Sequence, residues 1–232
     1  MKKHGMIMKT NDRTKLKLYF YIASILHVGF VIIAMTLTSR MIEINTSLSG
    51  YKFNITGGIF LIPIIFFIQD IVTEIYGYYN ATKMLYCSLS IFAMFVITWY
   101  VISFIPCSNK SEGCAYFSQI AKTLPRHMIS FIFSLAIGGT VNNYVLNKLK
   151  LIFNEKFLSL RFISATAIGE MIFQIIAVSI SWFGIYSIFD ILPLAIISYV
   201  YKILFEVVFT PANIYICRYL KYIRSCEINY VI

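Results

Sequence analysis

Two acids, Asp70 and Glu74, stand at the end of the apolar stretch GIFLIPIIFFIQDIVTE. Three further charged residues, Glu170, Lys202 and Glu206, also lie within long apolar segments. A charge at the centre of a bilayer costs at least about 2.5 kcal/mol on insertion scales, so lipid-facing positions are disfavoured for all of them. We expect these side chains to face the protein interior or a wet cavity, where carboxylates accept hydrogen bonds and an ammonium donates them. Such a lining suits the binding of a polar ligand.

The polar residues around these charges recur at the spacing of a helix face, because residues four apart lie on the same side of a helix. Four segments carry such a stripe: Asp70, Thr73, Glu74 and Gly77; Ser130, Ser134, Gly138 and Asn142; Thr166, Glu170, Gln174 and Ser181; and Lys202, Glu206, Thr210 and Asn213. We expect the stripes to converge on one pocket near the bilayer midplane. The residues predicted to bind a substrate there are Asp70, Glu74, Glu170, Lys202, Glu206, Asn142 and Gln174.

Simpler interpretations remain open for single members of this set. Lys202 and Glu206, one helical turn apart, can neutralise each other, and Glu74 can lie close enough to the cytoplasm to be solvated. The stripe from Ser130 to Gly138 is typical of a close-packing helix face. As a set, four acids face one lysine, so either some acids are protonated before a ligand binds or a cationic ligand enters. Protonated acids and a cationic ligand are both compatible with a transporter. Transport could then be coupled to a proton through one buried carboxylate.

The elements that hold these residues are predicted to be membrane-spanning helices. The 232-residue chain is 59% hydrophobic and 13% charged, with a mean hydropathy of +0.77, whereas a soluble domain is about one quarter charged. Residues 18–39 contain no Asp, Glu, Lys or Arg, and about 20 such residues cross a bilayer. We predict an all-α polytopic membrane protein with a single domain over 1–232 and six transmembrane helices, at about 18–39, 54–76, 84–105, 127–147, 162–185 and 191–217.

The basic residues predict the orientation of these helices. When the loops are assigned alternately to two sides, 14 of the 20 Lys and Arg residues fall on the side of both termini and 5 on the other. Because cationic loops stay in the cytoplasm, the N- and C-termini are both predicted to be cytoplasmic. The formal net charge of +10 is thus a topology signal. Since the charges are scattered over several loops, we expect no nucleic-acid partner.

Several other functions lack their sequence signals. No G-x-x-x-x-G-K-[ST], G-x-S-x-G or H-E-x-x-H motif and no His/Cys metal spacing occurs, so we predict neither an enzyme nor a cofactor. The first apolar run is too long for the core of a signal peptide and is predicted to be a retained helix. Cys107 and Cys114, in a predicted outer loop, either form a disulfide or remain free thiols.

Four blocks of the sequence resemble the queuosine precursor transporter family, also called the vitamin uptake transporter family. FLIPIIFFIQDIVTEIYGYYNATK carries the D-x-x-T-E-x-Y-G pattern of that family, and YKILFEVVFTPANIYICRYLK resembles its Y-K-x-x-x-E-x-x-x-T-P final helix. Between them, TLPRHMISFIFSLAIGGTVNNYV and RFISATAIGEMIFQIIAVSISWFG resemble its small-residue helix and its G-E helix. The resemblance runs from about Gly58 to Lys221.

The resemblance implies six membrane helices and a secondary transporter that imports 7-deazaguanine bases, such as queuine, preQ0 or preQ1, for the queuosine modification of tRNA. It also implies a multi-pass protein of the bacterial plasma (inner) membrane, whose partners are a nucleobase-like small molecule and the lipid bilayer. The chain departs from the family at Phe173 and Asn142, since relatives often have Asp at both positions. The alternative function is a substrate-binding membrane subunit of an energised vitamin importer, which requires a separate ATPase.

Overall fold

Long helices dominate the structure, a computed structural model that describes residues 2–38, 40–45, 52–106, 112–182, 184–185 and 187–228. Six helices among these residues are long and apolar enough to cross a membrane, which confirms the predicted all-α polytopic architecture. In chain order the elements are α1 (Lys2–Thr38), β1 (Met41–Asn45), β2 (Lys52–Thr56), a short 3-10 helix (Gly57–Phe60), α2 (Ile62–Tyr76), α3 (Tyr78–Ser103), α4 (Glu112–Ile152), α5 (Leu158–Trp182) and α6 (Ile188–Ile228).

A short antiparallel hairpin, which the sequence analysis does not predict, joins α1 to α2. Its strands pair with Met41 opposite Thr56. The candidate span Gly57–Tyr76 agrees with the predicted span at about 54–76 to within a few residues. The chain is extended at residue 54, however, then forms the 3-10 turn, and enters α2 only at Ile62. Pro63 lies in the first turn of α2, where its missing N–H leaves no helical hydrogen bond unmade. We call the end of the bundle that carries β1 and β2 the hairpin end.

Two glycines let the chain pass close to α1 at the hairpin end. A Cβ on Gly57 would lie 2.7 Å from the Leu37 carbonyl oxygen, and a Cβ on Gly58 would overlap that of Ala34. Real Cβ atoms do not approach backbone oxygens this closely, so the crossing requires residues without a side chain. The crossing places the start of α2 directly against the end of α1.

The helices extend further than predicted at the opposite end of the bundle. The predicted loop 148–161 is mostly helical, since α4 and α5 extend into it and leave only the turn 153–157. The predicted turn 77–83 contracts to Gly77, at φ 85°, between α2 and α3. Hydropathy marks where a helix leaves the apolar region, whereas the helix itself continues through lysine and leucine residues that favour it. We call this end, where Lys150 and Lys221 lie near the last turn of α2, the basic end.

The helix α2 lies at the centre of the bundle. Eleven of its fifteen residues are buried, including Gln69, Asp70, Thr73 and Glu74. It contacts α1, α3, α4 and α6, so its polar face has no lipid-exposed side. The apolar side chains at the hairpin end form one core around Phe66, and this core spans the gap between α1 and α5.

The helices α4 and α5 pack more closely than any other pair of helices in the described part of the chain. A Cβ on Gly138 would lie 2.8 Å from the Gly169 carbonyl oxygen, and a Cβ on Gly169 would lie 2.7 Å from Cβ of Asn142. Ser130 donates a hydrogen bond of 2.9 Å to the Ala177 carbonyl on the facing helix. The small-residue stripe is therefore a packing face, and it brings Asn142 against α5.

The prediction for Cys107 and Cys114 falls partly outside the residues that the structure describes. Cys114 lies in α4 and is disulfide-bonded, whereas Cys107 lies outside the described residues. The cytoplasmic location of both termini and the single domain over 1–232 stay predictions.

Candidate functional site

Asp70 lies where α2, α4 and α5 meet. Its Oδ1 accepts a hydrogen bond of 2.7 Å from Nδ2 of Asn142, and its Oδ2 accepts one of 3.1 Å from the hydroxyl of Thr166. All three side chains are buried. The close approach of α4 and α5 at Gly169 places both donors within reach of one carboxylate. Thr166, which the sequence places on the same stripe as Glu170, is a contact that the predicted site does not include.

Glu170 and Lys202 form a buried ion pair between α5 and α6. Lys202 Nζ lies 2.7 Å from Oε2 of Glu170 and donates a second hydrogen bond of 3.1 Å to Oε1 of Gln174. The ammonium also lies 4.2 Å from the centre of the Phe173 ring, a cation–π contact that helps to hold it away from water. The open interpretation that Lys202 neutralises Glu206 is therefore wrong, since its partner is on the neighbouring helix.

Glu206 is buried with few partners of its own. Its Oε1 accepts a long hydrogen bond of 3.4 Å from Nδ2 of Asn213, which lies 7 residues further along α6. Its Oε2 has no hydrogen-bond partner among the described residues. Glu206 lies one helical turn from Lys202, whose ammonium pairs with Glu170 on α5, and α6 also packs against α2. The acids of α2, α5 and α6 thus converge, as the stripes predict.

Glu74 lies apart from this group, in an ion-pair network at the basic end. Its Oε2 and Oε1 accept hydrogen bonds of 2.6 and 3.3 Å from the Arg161 guanidinium, and Lys221 Nζ lies 2.5 Å from Oε1. Lys150 donates to the Glu74 carbonyl oxygen at 2.8 Å. Glu74 is 1% exposed, so the open interpretation that it is solvated is wrong. One acid therefore ties α2 to α4, α5 and α6.

Arg161 is the main residue that the sequence analysis misses at this end. Its sequence position predicts a basic loop residue, yet it is fully buried and is the largest buried side chain of the described residues. Its guanidinium also donates to the Lys156 and Glu155 carbonyl oxygens of the α4–α5 turn. The signal that points to it is its place at the start of RFISATAIGE, one of the blocks that resemble the transporter family.

A small cavity of about 70 Å³ lies between the acids and the hairpin end. Lys202, Gln174 and Phe173 line its inner part, and Ser130, Ser181, Trp182 and His127 line the part toward the hairpin end. Among the predicted site residues, Lys202 and Gln174 line it and the others do not. Ligand pockets measure roughly 300–1,000 Å³, so this cavity admits water-sized molecules, and the helices are closed around the acids.

The sequence match extends over the segment that carries these contacts. Residues 56–216 match the family described as "Putative vitamin uptake transporter". The chain belongs to the vitamin uptake transporter family. The match includes the three acids at the convergence of α2, α5 and α6 and the polar residues that contact them or Lys202: Asp70, Glu170, Glu206, Asn142, Thr166, Gln174, Lys202 and Asn213.

Membership in the vitamin uptake transporter family agrees with the helical architecture. The family and the six candidate spans point to a multi-pass membrane transporter of the vitamin type and not to an enzyme. No curated protein matches the chain, and no solved structure does.

Proposed function

We propose that this vitamin uptake transporter imports queuosine precursors, 7-deazaguanine bases such as queuine, preQ0 or preQ1, across the bacterial plasma (inner) membrane by secondary transport. Support comes from family membership and from the four sequence blocks, which contribute Asp70, Asn142, Glu170, Lys202 and Glu206 to the convergence inside the bundle. The D-x-x-T-E-x-Y-G block contributes Asp70 and the Y-K-x-x-x-E block contributes Lys202 and Glu206.

The observation that carries this proposal is an excess of buried acceptor atoms where α2, α4, α5 and α6 meet. Oε1 of Glu170, Oε2 of Glu206 and the amide oxygens of Asn142 and Asn213 have no hydrogen-bond donor among the described residues. A buried acceptor without a donor costs about 1–3 kcal/mol. A guanine-like edge offers neighbouring N–H donors, which a carboxylate accepts in pairs. Such a base therefore supplies what the site lacks.

All of the predicted site residues except Glu74 contact the base in this proposal. Asp70, Glu170 and Glu206 accept N–H groups of the base, while Asn142 and Gln174 supply amide contacts. Lys202 donates to a base oxygen or nitrogen from its position above Phe173, whose ring offers a stacking face. Binding requires the helices to separate, because the cavity of about 70 Å³ is smaller than a ligand pocket.

Glu74 is the predicted site residue whose contacts favour another role. Arg161 and Lys221 already contact its carboxylate, so neither of its oxygens lacks a donor, in contrast to Oε1 of Glu170 and Oε2 of Glu206. We assign this network to holding the basic end closed. Import of a base then requires the network to open, since the path to that end runs past Glu74.

The test is uptake of a labelled 7-deazaguanine base in a strain that cannot make its own queuosine precursors. Deletion of the gene is expected to abolish uptake, and restored wild-type protein is expected to return it. Glu206→Gln is expected to fail to restore uptake, whereas a matched change of the exposed hairpin acid Glu43, Glu43→Gln, is expected to restore it. Unchanged uptake in the deletion strain would refute the function.

Purified protein in liposomes separates secondary transport from the alternative mechanism. A secondary transporter moves the base without another protein, whereas the substrate-binding subunit of an energised importer needs an ATPase partner. Base counterflow across the liposome membrane is expected for the isolated chain. Binding without counterflow would favour the importer subunit.

A further inference from the structure

Asp70 and Glu206 are the two buried acids to which no basic side chain is paired among the described residues. The other buried acids each have a base: Lys202 neutralises Glu170, and Arg161, Lys150 and Lys221 surround Glu74. Asp70 is held by Asn142 and Thr166, which are uncharged. Glu206 has only the long bond from Asn213.

Asp70 and Glu206 are both buried, and they lie on α2 and α6, two helices that pack against each other. No nearby basic side chain of the described residues is left to neutralise them. On α2, Glu74 adds a further acid, and on α5, Glu170 does so. The basic side chains of α6 that lie nearest, Lys202 and Lys221, are bound to Glu170 and Glu74. If both members of the pair were ionised, two buried charges of one sign would stand without compensation, which a low-dielectric interior disfavours.

The surroundings of the pair also lack hydrogen-bond donors. Oε2 of Glu206, Oδ1 of Asn142 and Oδ1 of Asn213 are all acceptors, and none has a donor among the described residues. An ionised carboxylate only accepts, whereas a carboxylic acid has one O–H to donate. One proton on the pair therefore removes a charge and supplies a missing donor at the same time.

We propose that Asp70 and Glu206 share one proton and that this proton drives uptake, an inference that rests on the transport function proposed above. The proton forms one O–H bond to a carboxylate oxygen on the side where the site loads and breaks that bond on the side where it unloads. No other bond changes. With the proton bound, the pair keeps one negative charge, which accepts the N–H donors of the base.

Release of the proton is coupled to release of the base. When the proton leaves, two like charges repel across the α2–α6 contact and one donor is lost. Both changes favour separation of the helices and release of the base. The proton and the base therefore travel in the same direction, because the loaded site is stabilised only with both present.

The proton is measured directly by infrared difference spectroscopy on purified full-length protein, without any base. The C=O stretch of a protonated carboxylic acid is separate from the bands of a carboxylate. Wild-type protein is expected to show such a band, and the band is expected to disappear as the pH rises. Because the proton belongs to the pair, Glu206→Gln and Asp70→Asn are each expected to remove the pH-dependent band, while Glu43→Gln, a change of an exposed acid in the hairpin, keeps it.

Two spectroscopic results overturn the shared proton. One is a band that both pair variants leave unchanged, and the other is the absence of the band at every pH at which the wild-type protein is folded. If either variant fails to fold, Glu206→Asp keeps an acid at the position, and a band that shifts in frequency in this variant identifies the pair as its source.

Liposomes with an imposed gradient test the coupling. The ratio of base uptake with acid outside to uptake without a gradient is expected to exceed one for wild type and for Glu43→Gln. For Glu206→Gln this ratio is expected to fall to one. A sodium gradient that drives uptake while a pH gradient does not overturns the inference. If no base is transported but the infrared band depends on both acids, the proposed substrate is wrong and the proton site stands.

Discussion

Arg161 binds the Glu74 carboxylate with two nitrogens of its guanidinium, at 2.6 and 3.3 Å, and neither side chain is exposed. The pair joins α5 to α2 at the basic end, and Lys221 of α6 adds a third helix. A bidentate arginine fixes both distance and orientation, which a lysine does not. The relative position of these helices at the basic end therefore depends on one buried acid.

Replacing Arg161 by alanine is expected to destabilise the protein by about 3–5 kcal/mol, because one charge of a buried pair is left with weaker partners. The measurement is unfolding by denaturant of the purified protein in detergent. Arg218→Ala, which removes an exposed arginine from α6, is the matched control and is expected to change stability by less than about 0.5 kcal/mol. Equal unfolding midpoints for the two variants would show that the Glu74 network does not hold the basic end.

Lys202 and Glu170 are expected to behave as a coupled pair. Lys202→Met leaves a buried carboxylate without a base and is expected to cost about 3–5 kcal/mol of stability. The double variant Lys202→Met with Glu170→Gln removes both charges and is expected to recover a large part of that loss. Unfolding of the two single variants and the double variant gives the coupling free energy. Simple addition of the two single effects would contradict the ion pair.

Gly169→Ala tests whether the close helix contact positions Asn142. The new Cβ would lie 2.7 Å from Cβ of Asn142, so α4 and α5 have to separate and the amide moves away from Asp70. Overpacking of this kind costs about 1–3 kcal/mol, and affinity for the base is expected to fall with stability. Gly29→Ala is the control, because a Cβ added at Gly29 would meet no atom within 4 Å. An equal fall in affinity for the base in Gly169→Ala and Gly29→Ala would show that the position of Asn142 does not matter for binding.

The predicted orientation is tested by labelling from outside intact cells. In a background whose native cysteines are replaced by alanine, Glu43→Cys in the hairpin is expected to react with a membrane-impermeant thiol reagent. Glu155→Cys in the α4–α5 turn is expected to react only after the cells are opened, because the positive-inside bias places that turn in the cytoplasm. Both positions are exposed on the protein. The reverse labelling pattern would invert the topology.

Hydropathy and helical spacing locate much of the fold and of the site. The six apolar segments, the burial of Asp70, Glu170, Lys202 and Glu206, and the convergence of the acids follow from the cost of a charge in lipid, which acts on each residue separately. The start of the helix in the second segment is harder to predict from the sequence. The chain near Gly57 and Gly58 is apolar enough for a helix, but the close crossing with α1 and the pairing of β1 with β2 hold it in another conformation.

What the sequence alone determined is which side chains must avoid lipid and on which face of each helix they lie, because both depend on local chemistry and on the helical repeat. Only the tertiary structure decided how the charges are partnered. Lys202 is one turn from Glu206 on its own helix, yet it pairs with Glu170, and Arg161 became a buried partner of Glu74. Partners across helices depend on how each helix is rotated and how deep it sits, which is set by contacts such as that of Gly138 with Gly169 and not by spacing along one segment.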